Sequence, residues 1–108
     1  MSEKIRAIVK RPDERYGHVT NISNSLKNLQ KTVDGRIEVV RISAEVALII
    51  NEDGKIFDLP KNFQMGKWPR CDIIVGTVAV VGVDGAEFCD CPLAFKTWKK
   101  LLADWGNL

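Results

Sequence analysis

The polar residues that could do chemistry gather beside the most apolar part of the chain. Asn51, Glu52, Asp53 and Lys55 stand together, Asn62 follows shortly after, and Asp72 opens the next apolar run. Carboxylates near a lysine offer a general acid/base arrangement, and Lys55 with Asp72 is the pair that would serve a small polar substrate. Asn and Asp-Gly are also what a tight turn needs for its own backbone angles. Turn geometry therefore accounts for Asn51, Asp53 and Gly54. It leaves Lys55 and Asn62 available to line a ligand cleft. Trp68 and Arg70 form a second set, since an indole stacks on a base and a guanidinium grips a phosphate. The competing reading of Trp68 is packing, with its ring covering the sheet's edge beside Pro69.

Other chemistries find little support. The chain has one histidine, His18, and nothing in sequence brings a nucleophile to it, so a Ser/His/Asp or Cys/His arrangement is not favoured. His18 reads as a surface strand residue. The cysteines are Cys71, Cys89 and Cys91. An odd number with no export signal argues for reduced thiols. Cys89 and Cys91 are too close in sequence for a zinc knuckle and lack a second ligand pair, so they read as neighbours on one face of a strand. No metal or cofactor is implied, and no glycine-rich phosphate loop of either common type is present.

Sixteen Lys and Arg face 14 Asp and Glu, a formal charge of +2. That is far from the basic footprint of a duplex-DNA binder. No apolar run approaches the roughly 18 residues of a membrane span, and Met1 to Lys10 lacks the apolar centre of a signal peptide. The expected location is the cytosol. A length of 108 residues predicts a single domain, residues 1–108, able to bury one core without disulfides or metal.

The elements that must position these side chains centre on two β-branched, nearly continuous runs, Val46–Asn51 and Cys71–Val81. Strands buried on both faces read this way, so these predict the middle of the sheet. Before them come a strand over Lys4–Val9, with Lys4 and Arg6 outward and Lys10 at the surface, a polar turn, and a returning arm over Tyr16–Thr20. Ile22, Leu26, Leu29 and Val33 recur at helical spacing, predicting a helix over Asn24–Thr32, capped by Asn21 or Ser23 and ended by Gly35 in the left-handed conformation. Arg36–Ile42 alternates as a strand with one wet face and should pair antiparallel with Val46–Ile50. Lys55–Leu59 would return as a third strand of a meander. Pro60 ends it, and Lys61–Arg70 has no period, which predicts a long irregular loop of the kind that often carries function. Asp72–Val81 resumes as one strand with Gly76 in its interior, a position that marks a bulge or a close approach. Ala86–Asp90 is the last strand, and Pro92 sits where the first residue of a C-terminal helix, Pro92–Asp104, belongs. The expected fold is therefore α+β, with an antiparallel or mixed sheet of five to seven strands and two helices packed on it.

Ile5-Arg-Ala-Ile-Val9, Leu26-Lys-Asn-Leu-Gln30 and Gly35-Arg-Ile-Glu-Val-Val40 occur in this order, followed by Asn51-Glu-Asp-Gly-Lys55, Leu59-Pro-Lys-Asn62 and Asp72-Ile-Ile-Val-Gly-Thr77. In this the chain resembles a family of unknown function carried by bacteriophages, plasmids and integrative elements. The likeness spans roughly Ile5 to Phe88 and is weaker at Tyr16–Asn21 and from Lys96 onward. It implies a mobile-element accessory protein, with no established reaction to carry over. The expected function is a noncatalytic binder that blunts a host defence, by sequestering a nucleotide-like signal or covering a defence protein. A small-substrate enzyme using Lys55 and Asp72, and a module for single-stranded nucleic acid, are the alternatives. Lys55, Asn62, Trp68 and Arg70 are the expected ligand-binding residues, in a cleft that a second copy of the chain could complete as a homo-oligomer.

Overall fold

Val46–Asn51 and the second half of the Cys71–Val81 run, from Val78 onward, do meet at the centre. In the computed structural model, which describes residues 3–107, the chain forms β1 (Lys4–Lys10), β2 (His18–Ser23), α1 (Leu26–Val33), β3 (Ile37–Arg41), β4 (Val46–Asn51), β5 (Lys61–Lys67), β6 (Arg70–Val75), β7 (Val78–Asp84), β8 (Glu87–Cys89) and α2 (Phe95–Asp104). The main sheet runs β2-β1-β7-β4-β3, all antiparallel, with β8 pairing along the last part of β7. A two-stranded ribbon of β5 and β6 stands apart from it. This is the expected α+β architecture. Among the described residues, no helix is long and apolar enough to cross a membrane.

β1, β4 and β7 are buried on both faces because each face has its own cover. On one face Ile5, Ala7, Val9, Ile49, Ala79 and Val81 pack under Leu29 and Val33 of α1. On the other, Ile8, Leu48, Val78 and Val80 pack with Phe63 and Ile74 of the ribbon and with Trp98 and Leu102 of α2. Ile8 thus faces this second core, opposite to Ala7 and Val9. The ribbon and α2 are joined by an aromatic cluster. Phe63 meets Trp98 edge-on at 5.6 Å and stacks on Trp105 at 6.2 Å. The buried Trp98 also donates its indole N–H to the Tyr16 carbonyl at 2.9 Å. Burying a large apolar side chain contributes roughly 1.5–3 kcal/mol, so this cluster is a main attachment of the ribbon.

Several expected elements are corrected. The helix N-cap is Ser25, whose side chain accepts from the Asn28 N–H, and the left-handed cap residue is Asp34 at φ 61°, not Gly35. Gly35 is needed for closeness instead, since a Cβ there would lie 2.6 Å from the Asn51 amide nitrogen. That buried amide donates to the Val33 and Asp34 carbonyls and so ends α1 from across the fold. Lys55–Leu59 is no strand: β3 takes one edge of β4 and β7 the other, so the place a third meander strand would fill is occupied. The segment winds into turns, with Phe57 N–H donating to Asp53 and Leu59 N–H to Gly54. α2 begins at Phe95 and not at Pro92, because the Arg6 guanidinium donates to both the Cys91 and Leu93 carbonyls at 2.8 Å and holds that segment outside the helix. Cys91 consequently lies beyond β8, buried, and does not share a strand face with Cys89.

Lys61–Arg70 is the largest difference, for it is most of a β-hairpin. Lys67 pairs with Arg70 across a two-residue turn of Trp68 and Pro69. Asn62 and Gln64 occupy strand positions that an apolar pattern would fill, which hides the period. Their amides are satisfied by distant backbone, Gln64 Nε2 donating to the Trp105 carbonyl at 2.7 Å. Asp72–Val81 is likewise two strands. Gly76, at φ 75°, turns the chain from the ribbon into the main sheet, its N–H donating to the Pro60 carbonyl at 2.8 Å.

Gly76→Val must adopt a left-handed backbone, at about 1–2 kcal/mol, and place its Cβ 2.9 Å from Leu59 Cδ1. Urea denaturation of this variant should show at least that loss, while the exposed Lys96→Ala stays within about 0.5 kcal/mol of the parent.

Candidate functional site

The chain places one lysine where lysines are seldom found. β1 is a central strand whose last residue, Lys10, ends beneath the root of the ribbon and is only 3% exposed. The expectation of a surface Lys10 is thus corrected. Its ammonium donates to Asn62 Oδ1 and lies 5.7 Å from the centre of the Phe63 ring. The Asn62 amide nitrogen in turn donates to the Lys10 carbonyl and the Gly76 carbonyl, each at 2.8 Å. One asparagine therefore ties the end of β1, the start of the hairpin and the Gly76 corner together.

Above Lys10 opens a pocket of about 370 Å³, with Arg15, Glu14 and Pro12 on one side and Asn62, Phe63, Gly106 and Asn107 on the other. Burial pushes the Lys10 ammonium below the usual lysine range, opposed by the charges of Glu14 and Asp13. Burial also works against ionisation of Glu14. The Arg11 N–H at 2.9 Å and His18 Nδ1 at 2.8 Å outweigh it and hold the Glu14 carboxyl below its ordinary value. Glu14 is thereby committed to Arg11 and His18, and contributes only its field to the pocket. His18 is exposed, as expected. Arg15 lies 5.0 Å from the Tyr16 ring at the rim. Asn107 is occupied in lining the open edge of β5, accepting from the Gln64 N–H at 2.9 Å and donating to its carbonyl at 2.8 Å.

An ammonium has three donors and Asn62 accepts from one of them. A buried cation facing an open, roomy pocket is suited to an anionic or strongly accepting ligand.

The residues expected to bind ligand are divided by the structure. Asn62 is in the Lys10 pocket. Lys55 meets Asp72 at 2.6 Å, but the two side chains are 63% and 55% exposed. Asp72 Oδ1 also accepts from the Ile73 N–H at 2.8 Å. A pair this wet contributes little to stability, and it lines a smaller but more enclosed groove of about 220 Å³ together with Glu38, Val40, Ile50 and Ile56. Trp68 and Arg70 stand at the tip of the ribbon, away from its Asn62 root. Trp68 is 83% exposed, so its ring does not cover the sheet's edge. Lys10 was not among the expected ligand-binding residues because a lysine ending an apolar strand has the same local signature whether it reaches water or not.

The model of a domain of unknown function, DUF3846, matches residues 5–103, and the chain belongs to that family. No curated protein and no solved structure matches it.

Burial of Lys10 makes stability depend on pH in a definite direction. Its folded-state pKa lies below the ordinary lysine value of 10.5, so between those two pH values the unfolded chain binds the extra proton and stability rises with pH. Urea melts of the parent across that alkaline window, compared with Lys10→Met, should show a rising contribution that the variant lacks.

Proposed function

We propose that this protein is a noncatalytic accessory protein of a bacteriophage or other mobile element, working in the host cytoplasm, which binds a nucleotide-like anion in the Lys10 pocket and so withholds a signal from a host defence. The observation that carries the reading is the buried Lys10 ammonium, held by Asn62 and facing a pocket of about 370 Å³. A phosphate oxygen would accept its remaining donors, and Arg15 at the rim supplies a second cation. Pro12 offers apolar wall to the rest of a ligand. Binding without turnover is favoured because His18 lines a different groove, and the one carboxylate of the pocket, Glu14, is already held by Arg11 and His18. The mobile-element setting rests on the motif likeness running from Ile5 to Thr77. The enzyme reading through Lys55 and Asp72 draws less support, since that pair is exposed and mutually neutralised.

Native mass spectrometry of protein purified from cells, followed by calorimetry with a panel of mono- and cyclic dinucleotides and inorganic phosphate, tests the reading. A nucleotide should bind and be recovered intact. A hydrogen bond to a charged group contributes roughly 1.5–3 kcal/mol, so Lys10→Met should weaken binding by about tenfold to a hundredfold. Arg15→Ala should weaken it without altering the melting temperature. Equal binding by parent and Lys10→Met, or no binding across the panel, overturns the proposal; conversion of the bound nucleotide would make the protein an enzyme.

A further inference from the structure

The ribbon tip is a separate surface. We infer that Trp68, with Lys67 and Arg70 beside it, forms a binding arm for single-stranded nucleic acid.

The tip is rigid and accessible at once. The β5–β6 ladder runs without a break from Phe63 and Ile74 to the closing pair Lys67 and Arg70, and Phe63 and Ile74 are anchored in the core. Both edges of the ribbon are occupied part-way along, β5 by the Asn107 side chain on Gln64 and β6 by Asp72 on its neighbour's N–H. Gly66 twists the strand at φ 83°, where a Cβ would lie 2.6 Å from the Arg70 carbonyl oxygen. What projects beyond is Lys67, Trp68, Pro69 and Arg70, all exposed.

Trp68 is the most exposed aromatic of the described residues, at 83%, whereas Trp98 is fully buried and Trp105 half-buried. Neither Lys67 nor Arg70 has an ion-pair partner among the described residues. The nearest acid along the ribbon, Asp72, is bound by Lys55. A flat apolar ring carried between two free cations complements a ligand that joins flat rings to repeated negative charge, which is the chemistry of an unpaired strand. Duplex DNA hides its base faces in the stack and offers the indole nothing. A lipid surface would engage the cations too, but a single indole on a two-residue turn presents little apolar area for insertion.

The test is fluorescence anisotropy of a labelled oligothymidylate titrated with the full chain, with Trp68 emission followed in parallel. Binding should quench Trp68, and Trp68→Ala should weaken affinity by about tenfold with an unchanged melting temperature, since stacking contributes roughly 1–3 kcal/mol per base. Lys67→Ala with Arg70→Ala should reduce the slope of log affinity against log salt by about 1.4, as expected for two lost phosphate contacts on a single strand. A duplex of the same sequence should bind more weakly. Undiminished oligonucleotide binding by Trp68→Ala overturns the inference. So does a Trp68 emission shift with phosphatidylglycerol vesicles and none with the oligonucleotide. Lys10→Met should leave this binding intact, so failure here and failure of the nucleotide reading are distinguishable.

Discussion

Burial of β1, β4 and β7 on both faces is the constraint from which the rest follows. A sheet with one wet face needs one cover; this one needs two, and the described chain has only two helices. The short α1 covers one face. α2 alone does not cover the other, and the β5–β6 ribbon supplies the missing apolar area through Phe63 and Ile74. The chain must therefore leave the sheet after β4, lie across its face as a hairpin, and return to the middle as β7. Each change of direction needs a device. Winding of Asn51–Leu59 makes the first, where Asn51 Oδ1 accepts from the Asp53 N–H at 2.8 Å, and the left-handed Gly76 makes the second.

The pocket is a consequence of that crossing. Where the hairpin root passes over the end of β1, two backbones approach with carbonyls that need donors, and the Asn62 amide supplies them to Lys10 and Gly76 together. The same residue then presents its oxygen to the Lys10 ammonium. Lys10 cannot swing out to water without abandoning Asn62 and the face of Phe63. A buried cation of this kind is destabilising in isolation, so its placement under the hairpin root costs the fold stability that the contacts of Asn62 and Phe63 offset.

The tip of the ribbon follows a different logic. The root is fixed by Asn62 and Phe63, and the ladder carries that rigidity outward to an exposed turn. An exposed tryptophan on a stiff arm loses little entropy when it meets a partner, because its backbone is already ordered. The protein thus separates a recessed cationic pocket from a projecting aromatic tip, and the two are independent surfaces of one hairpin.

Much of the fold was legible in the sequence because it rests on local pattern. The alternation in Arg36–Ile42, the continuous apolar runs at Val46 and Val78, the helical spacing of Leu26, Leu29 and Val33, and the apolar stripe through Trp98 and Leu102 each report the face an element buries. Charge, motif order and the likeness to a family of unknown function were equally readable. What only the tertiary structure decided is wherever a polar side chain satisfies backbone far away in sequence. Asn62 and Gln64 disguised β5 as a loop because their partners are Lys10, Gly76 and Trp105. Arg6 displaced the start of α2 by holding carbonyls 85 and 87 residues further on. Lys55–Leu59 read as a strand because pattern does not reveal that both edges of β4 are taken. The candidate site was half visible for the same reason. Asn62 stood out as unexplained by turn chemistry, but Lys10 becomes special only when the hairpin closes over it, and burial of a long side chain is set by what crosses above it.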